Sequence, residues 1–243
     1  MTKTPRRHAA TRALQAGFGL VELMVAVTIG LFVVTGVGVV FLNFRQAFST
    51  QDALAQLQDN ERLALTLLGS TIESAGYFPN PVLNTATTLL PAASGSYGTL
   101  AAGQAVVGTS AAAGDTITTR FATSSGDGLL NCLGQTNTSG GTQVFMNTFS
   151  LAASGDLLCS TDGGTTTNPI VGNVSSFSVL YGVDTNGLGT AYSYLPASAV
   201  TAAQWRLVRT ARIAIAFKNP FAGQSGQPPT VSWTQIISLL NKS

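Results

Sequence analysis

One carboxylate inside a long apolar run constrains this chain more than any other feature. From Phe18 to Leu42 there are 25 residues without Lys, Arg, Asp or His, and Glu22 is the only charged side chain. At about 1.5 Å per residue, such a helix exceeds the roughly 30 Å hydrocarbon core of a bilayer. An ionised acid at that depth costs on the order of a few kcal/mol, so Glu22 is expected to have a partner and a task. Lys3, Arg6, Arg7 and Arg12 precede the run with no acidic residue among them. That bias predicts a cytoplasmic N-terminus and a chain that continues on the far side of the membrane.

A secretory signal peptide would have a shorter apolar core, about 7 to 15 residues, and a small-residue cleavage site after it. Here the core is longer, and Asn43-Phe44-Arg45-Gln46 offers no such site. Arg6-Arg7 lacks the apolar context of a twin-arginine signal, and an ordinary anchor leaves the acid unexplained. The segment GFGLVELMVAVTIGLFVV instead resembles the class III leader of type IV pilins and pseudopilins. Such leaders are short and basic, end in Gly, and precede Phe, with Glu five residues into the mature chain. Gly19 stands where Thr or Ser is more usual.

The resemblance implies that prepilin peptidase cuts after Gly17 and methylates the new amino group of Phe18. It also implies that Glu22 pairs with the amine of Phe18 in a neighbouring subunit and sets register in a filament. Read from the residue alone, Glu22 is an acid in a first helical turn, favoured by the macrodipole by about 0.3 to 1 kcal/mol.

Removal of residues 1–17 changes the chemistry available. The whole chain carries 12 basic and 10 acidic residues, but four of the basic ones lie in the leader, so the mature chain has a net charge of −2. That balance gives no basic footprint for nucleic acid. His8, the only histidine, leaves with the leader. Without histidine there is no Ser-His-Asp triad or Cys-His pair, and two cysteines do not complete a structural zinc site. Asp127-Gly128, Asp162-Gly163-Gly164 and Asp184-Thr185-Asn186 resemble pieces of calcium loops but lack the full ligand series with a closing Glu; turn chemistry explains them better. No phosphate-binding Gly-Lys loop is present. The expectation is a protein that is not an enzyme and needs no cofactor.

Beyond Leu42, Phe44, Phe48, Leu54, Leu57, Ala64, Leu65, Leu68 and Ile72 recur at helical spacing among polar residues, with no Pro from Phe18 to Ala75. The pattern predicts one helix over 18–75, with 18–42 in the membrane or filament core, 43–75 amphipathic, and Gly76 as its stop. Residues 80–114 read as loops with a short strand near Ala105–Val107. Alternation predicts strands at Asp115–Phe121, Gln143–Ser150, Leu157–Cys159, Asn173–Val183, Arg206–Phe217 and Val231–Leu239, with a hairpin turn at Asp184–Gly187. Strands following one long helix indicate an α+β fold: an antiparallel sheet packed on that helix, forming a head over 76–243. Cys132 and Cys159, beyond an inner membrane, are expected to form a disulfide, the alternative being two buried thiols.

The segments GDTITTRFATSSGDGLLNCLG, GDLLCS, VSSFSVLYGVDTNGLGTAYSY and WRLVRTARIAIAF follow the order seen in PilW-type minor pilins. Asn131 stands where Asp is common before the cysteine, and 81–110 and 219–230 match nothing specific. The resemblance implies a minor pilin acting in priming or at the tip of a type IV pilus. Its partners would be other minor pilins, the major pilin, prepilin peptidase and the inner-membrane assembly platform. The chain would be a single-pass inner-membrane protein with a periplasmic head, and part of a surface pilus after assembly. The J-type minor pseudopilins of type II secretion are similar, and a pilus-displayed adhesin head is a further reading.

Overall fold

The structure is a computed structural model and describes residues 19–240. Helix α1 spans Leu20–Glu73 without a break, since no Pro removes a backbone donor along it. Gly76, at φ 83°, takes the left-handed conformation that ends the helical path, as expected. The chain divides into two units, one through Asp52 and one from Ala53. Among the described residues, the first is helix from Leu20 onward.

The second unit contains the rest of α1 and the β-rich head. After α1 come a helical turn α2 (Ala86–Leu89) and strands β1 (Ala93–Gly95), β2 (Gly98–Leu100), β3 (Val106–Thr109), β4 (Thr116–Ser124), β5 (Thr142–Leu151) and β6 (Leu157–Ser160). Then follow β7 (Asn168–Val171), β8 (Val174–Val183), β9 (Ser193–Pro196), β10 (Val208–Lys218) and β11 (Thr230–Ser238). All pairings are antiparallel. The expected sheet is divided in two: β11-β10-β8-β9, and β3-β4-β5-β6-β7, with β1-β2 as a separate hairpin.

Three contacts at one seam join the sheets. Phe177 O accepts from Asp115 N–H at 3.1 Å, and Asp115 Oδ2 accepts from Val179 N–H at 2.7 Å. The buried Tyr181 hydroxyl donates to Thr116 O at 3.1 Å, and burial, reinforced by Asp115, raises its pKa well above the ordinary value. Gly108 permits this approach, because a side chain there would overlap the Tyr181 hydroxyl and Thr116 O.

The core forms where α1 meets the sheets. Ala64, Leu68 and Ile72 are buried, while Leu57 and Leu65 are partly buried against them. Phe44 and Phe48, in the first unit, are 62% and 70% exposed. On β10, Ala211, Ile213, Ile215 and Phe217 are all buried, as the alternation predicted. The hairpin after β8 is wider than a two-residue turn, because Val183 pairs with Ser193. The Asp184 carboxylate gathers the N–H groups of Gly187, Leu188 and Gly189, which rounds the chain into a broad loop.

Candidate functional site on the exposed helix

Between Gly19 and Ser49 every residue of α1 is exposed. Leu20 is 77% and Phe32 84% exposed, in company with a long series of Val, Leu, Ile and Met side chains. The helix is long and apolar enough to cross a membrane, with a mean hydropathy of 2.6 over its most apolar window. The threonine hydroxyls of its apolar run are satisfied internally. Thr28 Oγ1 donates to Met24 O and Val25 O, and Thr35 Oγ1 donates to Leu31 O at 2.7 Å. A hydroxyl folded back onto its own helix presents no unmet donor to hydrocarbon. Beyond the apolar run, the Arg45 guanidinium lies over the Phe41 ring, 5.2 Å from its centroid.

Glu22 lies in the first turn of α1, exposed on this apolar rod. Gly17 and Phe18, the expected processing positions, lie outside the described residues. Cys132 and Cys159 are joined by a disulfide, their Cα atoms 6.3 Å apart. It fastens the loop between β4 and β5 to β6, where Cys159 faces Phe149.

The acidic turns hold their own backbone. Asp162 accepts from Ser160 Oγ, then from Thr166 and Thr165, which holds its carboxyl far below the ordinary range. For Asp127, burial alone would raise the pKa, but hydrogen bonds from Thr123, Leu129 and Ser124 outweigh it and lower the value. Asp184 is buried, and Arg209 Nε lies 3.4 Å from its Oδ2 without hydrogen-bond geometry. These carboxylates cap turns, and among the described residues no three acidic or thiol ligands converge as a metal would require.

Sequence reasoning passed over Arg120. It is buried in β4 and donates to the carbonyls of Gln104, Ala101, Leu90 and Pro91. The segment between α1 and β3 thereby closes over one face of β4, while Thr119 Oγ1 on the other face reaches Thr71 O of α1. The available signal was a lone cation inside a run of Thr, Ile, Phe and Ala.

Residues 135–235 match the family model described as type IV pilus-assembly protein W, and residues 12–38 match the prokaryotic N-terminal methylation motif. Among solved structures, the chain is similar to a type IV-like pilin from Thermus thermophilus, with 15% identity and a TM-score of 0.43. That likeness covers 77% of this chain and 97% of the other. No curated protein matches the chain. The chain thus joins a prokaryotic methylation motif, which opens an apolar helix, to a head of antiparallel sheets. Its head carries a PilW-type domain.

Proposed function

We propose that this chain is a minor pilin that acts in assembly of a type IV pilus, as part of a priming or tip complex. The observation that carries the reading is the uncovered apolar length of α1, with Glu22 as its sole charge over 18–42, ahead of a PilW-type head. Prepilin peptidase removes 1–17 by cutting after Gly17, and the amine of Phe18 is methylated. The mature chain waits as a single-pass inner-membrane protein with its head in the periplasm. Residues 18–42 then leave lipid for the filament core, and 76–243 remain as the head.

Glu22 accepts the positive amine of Phe18 from an adjacent subunit, relieving two charges that lipid solvates poorly. Major and minor pilins and the assembly platform are its partners. No observation favours the pseudopilin or adhesin readings. The test is mass spectrometry of the purified chain together with Glu22→Ala. The expected results are a methylated N-terminus at Phe18, normal membrane insertion of the variant, and loss of its incorporation into pili. An intact N-terminus at Met1, or normal incorporation of Glu22→Ala, refutes the reading.

A further inference from the structure

Among the described residues, the sheets of the head end on short strands everywhere except at β11. β1 and β2 have three residues each, and β3, β7 and β9 have four. β7 contains Pro169 and β9 ends on Pro196. β11, by contrast, runs nine residues without a charge, a Pro or a Gly. It pairs with β10 through an unbroken register from Thr210↔Ser238 to Lys218↔Thr230. Exposed edges are ordinarily shortened, charged or kinked, because free N–H and C=O groups recruit further strands.

The free groups on β11 can be assigned. Leu239 N–H donates to Arg209 O at 2.8 Å, extending the ladder by one pair. Antiparallel pairing alternates bonded and non-bonded residues, so odd-numbered residues of β11 bond to β10. Ser232, Thr234 and Ile236 therefore turn their backbone N–H and C=O groups outward. A groove of about 660 Å³ borders this strand, lined by Trp233, Thr234 and Gln235 and, across from them, by Gln58, Arg62 and Leu65 of α1. Successive side chains of a strand point to opposite faces, so three consecutive residues share one groove only along the edge. Gln235 Oε1 is buried there without a hydrogen-bond partner, and Ile236 is 56% exposed.

We propose that β11 is a docking edge that accepts a β-strand from the head of a neighbouring pilin-type subunit, extending the four-stranded sheet by one. The inference rests on the pilin reading above and names the surface through which the head meets a partner. The edge itself defines the occupant. Its outward donors and acceptors repeat at strand spacing, which suits an extended backbone and not a helix. Nine residues without charge match a strand that is itself uncharged.

The test uses the full processed chain in detergent, mixed pairwise with each detergent-purified pilin-type subunit of the same genome. Amide hydrogen exchange and dissociation constants are measured. Binding should slow exchange at Ser232, Thr234 and Ile236 and leave β9 unchanged. Thr234→Pro removes an outward N–H without touching the ladder to β10. The double substitution Thr234→Lys, Ile236→Lys charges the edge and supplies the test should the Pro variant not fold. Each folded variant should bind at least about tenfold more weakly. A subunit that binds with those amides unprotected, or binds the folded variants as tightly as wild type, overturns the docking edge while the pilin reading stands. Failure of every pilin-type subunit to bind overturns the docking edge, while the pilin reading is decided by the processed N-terminus and the Glu22→Ala variant. A dimer of this chain alone, joined β11 to β11, overturns the proposed partner.

Discussion

Arg120→Met should release the segment that covers β4 and lower the stability of the head by several kcal/mol. The side chain is 1% exposed, with Nε 2.7 Å from Gln104 O and Nη2 2.8 Å from Ala101 O and 3.3 Å from Leu90 O; Pro91 O accepts from Nη1. Burial lowers the guanidinium pKa, with Tyr97 acting in the opposite direction, but an arginine stays charged. Methionine preserves apolar bulk and removes every donor. Each buried acceptor left unpaired costs about 1 to 3 kcal/mol, although carbonyls nearer the surface recover water. Two of the four bonds are fully buried, so about 4 kcal/mol is expected here. At about 2 to 4 °C per kcal/mol for a fold of this size, the thermal midpoint should fall by about 8 to 16 °C. The assay is thermal unfolding of the full chain in detergent, followed by tryptophan fluorescence, with amide exchange as a local readout. The amides of Gly103 and Gln104, which donate to Leu90 O and Ala101 O, should exchange faster before the rest of the head does. Because the acceptors are neutral carbonyls, added salt should not narrow the gap between variant and wild type. A drop under about 3 °C, or loosening spread evenly over the head, refutes the assignment of Arg120 as the latch.

Three further outcomes follow from the head. Replacing Cys132 and Cys159 by Ser opens a loop with a sequence separation of 27 residues. Loop entropy sets the cost at about 3 to 4 kcal/mol, read as a lower denaturant midpoint. Gly108→Ala should destabilise the head by about 1 to 3 kcal/mol through overlap with Tyr181, and Tyr181→Phe on the same chain should recover part of that loss in a double-mutant cycle. For Asp162 the folded pKa lies below the unfolded one, so its contribution is complete above the ordinary value near 3.9 and fades as the pH falls below it toward the depressed folded value. Asp162→Asn should flatten that part of the acid-unfolding profile; an unchanged profile would dismiss the carboxylate as its source.

Residues whose environment is set by near neighbours were legible in the sequence. The length of α1, its end at Gly76, and the strands carrying Ile213 and Phe145 follow from period and composition, which depend on a few adjacent positions. Residues 80–114 were read as little more than loop, yet they contain α2, with a reciprocal Thr85–Thr88 cap, and the β1-β2 hairpin. What organises them is Arg120, up to 30 residues away along the chain. β7 and β9 were missed for a similar reason: each has four residues, and pairing to a longer strand defines it more than any alternation of its own. The division into two sheets depends on the seam at Asp115 and Tyr181, groups that sequence pattern leaves indistinguishable from ordinary strand-end polar residues. At the N-terminus, Glu22 was conspicuous because an acid in an apolar run is anomalous without any knowledge of the fold.

On the pilin reading, that anomaly also determines which residue can discriminate bilayer from filament. A helix of Val, Leu and Ile gains little hydrophobic free energy on leaving lipid for a bundle of similar helices, because lipid tails are as apolar as the side chains they replace. The exposed surface from Leu20 to Leu42 is therefore permissive for both environments. The threonines do not break the tie, since Thr28 and Thr35 are satisfied within the helix in either one. Glu22 differs, because its carboxylate has no ion pair among the described residues and, on that reading, meets the amine of Phe18 in a neighbouring chain. A conservative replacement separates charge from shape. Glu22→Gln keeps the volume and a hydrogen-bonding head group but removes the charge, so it should insert normally and fail to incorporate, much as Glu22→Ala does. Glu22→Asp keeps the charge on a shorter stem and should retain part of the incorporation. If Gln incorporates as well as Glu in a quantitative pilus pull-down, register is set by helix packing and the charge plays no part in assembly.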